Sequence, residues 1–483
     1  MTYYFLGIGG IGMSALARFF KRSGHTVCGY DRTESPLTKL LESEGIAIHY
    51  DDNPDLIPSN IDLVIYTPAV PQDTNEFQHL LHSGVVMKKR SQVLGELTRG
   101  KKCIAVAGSH GKTTTTAMIA HLLDKSGIGC SAFLGGIAKN FNSNLLVNDN
   151  SEYVVVEADE YDRSFLQLHP FYSVITATDP DHLDIYGTLE NLLQAFEQFA
   201  SQTDIDGALF VKEGLAVTPA PDGEEDHDDG NGEEGTTAHK HHHHHHHDDD
   251  GHRALKIGSE HKVYSYTARG IEADYYAINV RNYHGNIYFD LRTPGKVLYD
   301  IELQNSCLYN VENAVAAAAV AMTCGLDEYQ LRNGLKTFAG IQRRFDYRIK
   351  TNDIVYIDDY AHHPREISAT IESVKYLFPD KRIVGIFQPH LYSRTRDLAD
   401  DFAEALKPLD EIVLLPIYPA REKPIPGVSS GMILRKIDSM NKYLTSKDQL
   451  ADLVEALCPD VVLTMGAGDI DRLVPVLEER LRN

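Results

Sequence analysis

Cys103-Ile104-Ala105-Val106-Ala107-Gly108-Ser109-His110-Gly111-Lys112-Thr113-Thr114 is a short apolar, strand-forming run that breaks on a glycine and continues into a helix-like stretch. Strand, glycine-bearing turn and helix, in that order, form the setting of a phosphate loop. Backbone amides and the helix N-terminus cradle phosphate oxygens, Lys112 brings a point charge to the terminal phosphates, and the Thr113 hydroxyl can ligate Mg²⁺. Gly108, Ser109, His110, Gly111, Lys112, Thr113 and Thr114 are therefore the candidate nucleotide-binding residues. The spacing departs from the common form of the loop, because Val106 stands where its first glycine would fall.

The same grammar recurs at Tyr3 to Ile8 and at Ile354 to Ile357, each an apolar strand feeding a glycine-rich or polar turn and then a helix-like run. That repetition predicts an α/β protein with parallel sheets. Further strands are expected at Thr26 to Tyr30, Leu63 to Tyr66, Tyr153 to Val156, Tyr172 to Ile175, Ile383 to Phe387, Ile412 to Leu415 and Val461 to Met465. Alternation across Tyr275 to Leu291, centred on His284, Gly285 and Asn286, predicts a hairpin and hence some antiparallel structure in the middle of the chain. The alanine-rich run Asn313 to Met322 predicts a helix, with a domain boundary near Gly325 to Glu328.

A length of 483 residues exceeds one ordinary core, so two to three domains are expected. The formal charge of -23 excludes blanket attraction to nucleic acid or to an anionic membrane, both of which need a basic surface. No apolar run reaches bilayer-spanning length and the N-terminus enters a strand directly, which places the expected location in the cytosol. The six cysteines are scattered without a CxxC pair and read as buried or incidental thiols. The stretch from about Glu213 to Arg253 is too acidic, too glycine-rich and too histidine-rich to pack, and it includes seven consecutive histidines, His241 to His247. It reads as a disordered surface insertion, since adjacent histidines set no coordination geometry.

Other groups carry chemistry. Glu157-Ala158-Asp159-Glu160 ends a buried-type strand, where Glu157 is placed to hold a metal bound to ATP. Asp179-Pro180-Asp181-His182-Leu183-Asp184 follows another strand, with His182 as metal ligand or proton carrier. Gly7-Ile8-Gly9-Gly10-Ile11-Gly12 matches GxGxxG, with Asp31 ending the next strand; alone, it would also suit an NAD(P)-dependent dehydrogenase. Toward the C-terminus, Asp359-Tyr360-Ala361-His362-His363-Pro364 ends one strand and Gln388-Pro389-His390 with Arg394 and Arg396 follows another. These imidazole and guanidinium groups are suited to orienting a carboxylate and neutralising a phosphorylated intermediate.

With these motifs and Gln342-Arg343-Arg344-Phe345, the chain resembles the Mur ligases of peptidoglycan synthesis over its whole length except the acidic, histidine-rich insertion. The resemblance implies three domains: residues 1–101, Rossmann-like, for a UDP-sugar; residues 102–326, a P-loop ATPase-type mixed sheet; and residues 327–483, Rossmann-like, closing over ATP and an amino acid. It implies ATP and Mg²⁺ as cofactors, with UDP-N-acetylmuramate and L-alanine as the substrates joined. No nucleic acid or membrane partner is expected, and the enzyme would act as a monomer or homodimer. The related activity, recycling a tripeptide onto the same sugar, is the alternative, with Tyr161 in its favour.

By the same likeness, Lys112 and Thr113 serve the phosphates and Mg²⁺, and Glu157 and His182 hold metal. Asn310 and Asn313 would contact adenine, Asp359 the ribose, and Arg343 or Arg344 the γ-phosphate. His362, His390 and Arg394 would line the alanine pocket. Gly9, Gly12, Met13 and Ser14 would meet the UDP diphosphate, with Arg90 and Gly136 further along that substrate; this reassigns the glycine fingerprint from a dinucleotide to UDP. Two positions differ from the family pattern, Ala177 where Asn is frequent and Leu391 where Arg is common.

Overall fold

A computed structural model of the chain describes residues 1–179, 183–217 and 253–483. Among these the chain forms two compact units, the first comprising residues 1–112, 149–267 and 271–275, the second residues 113–148, 268–270 and 276–483.

In the first unit, a five-stranded parallel sheet runs in the order Ala47–His49, Thr26–Tyr30, Thr2–Leu6, Leu63–Tyr66, Met87–Lys89. Its central strands, Thr2–Leu6 and Thr26–Tyr30, are buried at all but their first residue because helices cover the faces, as parallel sheets require; Tyr4, Leu6, Val64, Phe77 and Leu80 pack one of those cores. A second parallel set follows the order Tyr153–Ala158, Lys102–Ala107, Tyr172–Ile175, Ala208–Lys212, Val263–Thr267. The phosphate-loop strand lies inside that set, so the loop emerges from the sheet's C-terminal edge, where open α/β sheets bind ligands.

The second unit contains the antiparallel pair Ser131–Ala138 with Ser143–Leu146 and the antiparallel run Tyr275–Tyr283, Asn286–Arg292, Val297–Leu303. The expected hairpin turns on His284 and Gly285, both at positive φ (52° and 78°), the backbone twist that two-residue hairpins need. The alanine-rich helix spans Asn310–Cys324, is buried at every position from Ala314 to Ala321, and stops at Gly325 with φ 114°. A six-stranded sheet follows the order Asp346–Lys350, Val355–Asp359, Val461–Met465, Ile383–Phe387, Glu411–Leu414, Lys442–Leu444, parallel except for its first strand.

The expected insertion is narrower than its composition indicated. Ala216–Val217 pairs with Leu255–Lys256, and Arg253 forms ion pairs with Glu190 and Glu197 at 2.8 Å each, so both flanks belong to the fold. Residues 218–252, including His241 to His247, lie outside the described residues. All six cysteines are free, four of them buried, Cys324 half-buried and Cys458 exposed. Among the described residues, no helix is long and apolar enough to cross a membrane.

Candidate active site

The phosphate loop is built around a residue that has no side chain. Gly108 sits at φ 135°, and a Cβ there would overlap the Thr176 hydroxyl and approach the Ala177 amide nitrogen to 2.8 Å. The loop is tied to the neighbouring strand end. Ser109 N–H donates to Ala177 O (3.2 Å), the Asp179 amide donates to Ser109 Oγ (3.0 Å), the Thr176 hydroxyl donates to His110 O, and His110 Nε2 lies 2.8 Å from Asp179 Oδ2. Replacing Gly108 with alanine therefore forces the backbone to move, at a cost of about 1–3 kcal/mol. The expected result is a loss of about tenfold or more in kcat/KM for ATP; wild-type ATP dependence would show that the loop tolerates a side chain.

Lys112 opens the helix Lys112–Ser126, with Thr113 and Thr114 buried in its first turn. Its ammonium lies 2.7 Å from Glu160 Oε2 and 3.9 Å from Asp159 Oδ1. Burial pulls the lysine pKa down, but Glu160, Asp159 and Glu157 outweigh it and hold the group above its ordinary value, so the cation is in place before any phosphate arrives. Glu160, 1% exposed, is the partner of the loop lysine that sequence reasoning did not single out. Its position as the last acid of Glu-Ala-Asp-Glu was the available signal. Glu157 is half-buried at the end of the same strand, and His182 lies outside the described residues.

In the N-terminal sheet, the Gly9 amide donates to Asp31 Oδ2 at 2.8 Å, and the Arg90 guanidinium comes so close to Gly12 that a Cβ there would sit 3.0 Å from Nη1. Met13 and Ser14 are buried. The Ser14 hydroxyl donates to Ile11 O (2.9 Å) and its amide to Gly10 O (2.8 Å), so Gly9, Gly12 and Arg90 are the partly exposed members of this group. In the second unit, Gly136 is packed so that a Cβ would meet Ile341 Cγ2 at 2.8 Å.

The remaining candidates are in the second unit. Asn310 and Asn313 share one helix turn, Asn313 Nδ2 donating to Asn310 Oδ1 (3.0 Å) and Asn310 Nδ2 to Ser306 Oγ (3.2 Å). Asp359 is buried, which pushes its carboxyl up to about 7 although the Phe345 and Ala361 amides each donate to it at 2.8 Å. Of the paired arginines, Arg343 is committed inward: Nε and Nη2 donate to Asp358 (2.8 and 3.1 Å) and Nη1 to Gly466 O (2.9 Å). Arg344 is exposed, so of the two it is the one placed to meet a ligand.

His362 and His390 converge, their rings 6.3 Å apart. Arg394 Nη1 lies 3.1 Å from His390 Nδ1. A guanidinium only donates, so Nδ1 accepts and Nε2–H is the donor this ring presents. Burial, then Arg394 and His362, lower the His390 pKa and keep it neutral. His362 Nδ1 donates to Tyr360 O at 3.1 Å, which leaves its Nε2 as acceptor when neutral. One histidine therefore offers a donor and the other an acceptor, beside a fixed cation.

Comparison with known proteins agrees along the chain. Residues 2–102 match the model of the Mur ligase family, catalytic domain; residues 106–218 match the Mur ligase middle domain; and residues 343–468 match the Mur ligase, glutamate ligase domain. The chain is 46% identical to UDP-N-acetylmuramate--L-alanine ligase of Porphyromonas gingivalis over 485 residues, covering 99% of this chain and 98% of that protein. It is 47% identical to the protein of the same name from Parabacteroides distasonis, covering 99% and 96%. The solved UDP-N-acetylmuramate-alanine ligase of Thermotoga maritima superposes with a TM-score of 0.79 at 28% identity, covering 100% of this chain and 99% of that one. A murein peptide ligase from Psychrobacter arcticus shares the fold, with a TM-score of 0.65 at 22% identity and the same coverage. On matches that run nearly end to end, the chain belongs to the Mur ligase family.

Proposed function

We propose that this chain is an ATP-dependent ligase that joins L-alanine to the lactyl carboxylate of UDP-N-acetylmuramate. The observation that carries the reading is the loop Gly108 to Thr114, with its buried lysine held charged among carboxylates, in a chain 46% identical over nearly its full length to a protein named for that reaction. In three-domain terms, residues 1–101 take the UDP-sugar, 102–326 the ATP, and 327–483 close over the nucleotide and the amino acid.

A free carboxylate is a poor acyl donor because oxide would have to leave. In the proposed reaction a lactyl oxygen attacks the γ-phosphorus of ATP and ADP departs; the neutral amine of alanine then attacks the acyl carbon and inorganic phosphate departs. Two anions must meet in the first step, so positive charge aimed at the transferring group does most of the electrostatic work. Lys112 and the exposed Arg344 supply it from the protein. Arg394 and the His390 Nε2–H are placed to bind the alanine carboxylate, and His362 Nε2 has a lone pair for the departing amine proton. Oxygen donors suit Mg²⁺, and Thr113 and the half-buried Glu157 at its strand end are the oxygen ligands we assign to it; the resemblance adds His182, which lies outside the described residues. When bound, that ion would draw charge from the β- and γ-phosphates.

The test is ADP release by purified protein with Mg²⁺ and UDP-N-acetylmuramate against L-alanine, L-serine, glycine and the tripeptide. Release that depends on L-alanine supports the proposal; release that depends on the tripeptide alone assigns the recycling reaction, and none with any acceptor refutes both.

A further inference from the structure

Tyr418 lies in the segment that follows strand Glu411–Leu414, 28 residues from His390 in sequence, and no motif marked it. Its ring stacks on the His390 imidazole, centroids 5.6 Å apart and planes 21° from parallel. Its backbone brackets the same loop: the Tyr418 amide donates to Pro389 O (2.8 Å) and Tyr418 O accepts from the Leu391 amide (2.9 Å). The other side of the tyrosine is closed by Gly468, where a Cβ would fall 2.6 Å from the Tyr418 Cβ. Four residues on, Glu422 accepts from the Ser393 amide (3.0 Å) and from the Ser393 hydroxyl, fixing the start of the helix that carries Arg394.

The loop so held is itself strained. Leu391 stands at φ 72°, a region that residues with a Cβ rarely adopt and that persists only when the surroundings enforce it. The two bonds with Tyr418, at Pro389 O and at the Leu391 amide, flank His390 and lead straight into Leu391, and the stacked ring restricts rotation of the imidazole about its Cβ–Cγ bond. Aromatic stacking of this kind favours one plane for a partly exposed ring.

We propose that Tyr418 is a positioning residue of the amino-acid site: it holds His390 so that Nδ1 faces Arg394 and Nε2–H faces the incoming amino acid. This rests on the assignment of His390 and Arg394 to amino-acid binding. The chemistry served is recognition of a small α-amino acid through its carboxylate.

The experiment compares wild type, Tyr418→Ala and Tyr418→Phe in steady-state ADP release, varying each substrate in turn, with thermal melts alongside. For Tyr418→Ala, KM for L-alanine rises about tenfold or more while KM for ATP and for UDP-N-acetylmuramate stay within about twofold. Tyr418→Phe, which keeps the ring, restores the wild-type KM for L-alanine. An unchanged alanine KM in Tyr418→Ala, a uniform loss across all three substrates, or a phenylalanine variant as impaired as the alanine variant overturns the inference. Wild type that turns over but ignores L-alanine overturns the proposed function itself, and this inference with it.

Discussion

Replacing Lys112 with alanine lowers turnover by roughly 10³-fold, because the ammonium is a cation fixed inside the phosphate loop and its work is done where charge develops in the transition state. Binding of the UDP-sugar, which the proposed domain division assigns to residues 1–101, stays at the wild-type level. The same substitution removes the cation that Glu160, a carboxylate 1% exposed, faces at 2.7 Å. Breaking a buried pair by removing one partner costs about 3–5 kcal/mol, so the melting temperature falls as well. The double substitution Lys112→Met with Glu160→Gln separates the effects: stability returns and turnover does not. Turnover near the wild-type rate in Lys112→Ala would contradict the role given to the lysine.

Arg343→Met lowers stability by about 3–5 kcal/mol, with the damage concentrated around the strand Val355–Asp359. Asp358 is 2% exposed, and its remaining side-chain partner would be the Thr464 hydroxyl at 2.7 Å. Burial already raises the Asp358 pKa and Arg343 opposes that rise, so removing the arginine moves it further up. A carboxyl whose folded pKa lies above its unfolded one binds more protons folded than unfolded between the two values, so stability there falls as pH rises. The melting deficit of Arg343→Met relative to wild type is therefore larger near about pH 8 than near about pH 5. A deficit independent of pH would mean that the loss is packing rather than an uncompensated carboxylate.

Both substitutions turn on contacts that the sequence did not announce. Local signals were legible: His284-Gly285 marked a hairpin because only a few residue types accept two successive positive φ values, and the apolar runs Thr26–Tyr30 and Ile383–Phe387 became strands with those same limits. The phosphate loop was legible for the same reason, as a short-range pattern of strand, glycine and helix. What stayed hidden depends on strand order. Arg343 reaches Gly466 only because Val461–Met465 is inserted between Val355–Asp359 and Ile383–Phe387, and nothing in the local sequence fixes that insertion. Tyr418 meets His390 through neighbouring strand ends in the same way. The flanks of the acidic insertion were misjudged because two-residue strands, Ala216–Val217 and Leu255–Lys256, are too short to leave a period in the sequence.

In the proposed mechanism the terminal phosphoryl group of ATP is handed to the carboxylate of the sugar nucleotide before the amine attacks. Its most direct test uses UDP-N-acetylmuramate carrying heavy oxygen in both positions of the lactyl carboxylate, turned over with ATP, Mg²⁺ and L-alanine, with the released inorganic phosphate analysed by mass. Each released phosphate is expected to carry one heavy oxygen taken from the acid; phosphate released without label, alongside amide product, rules out transfer to the carboxylate.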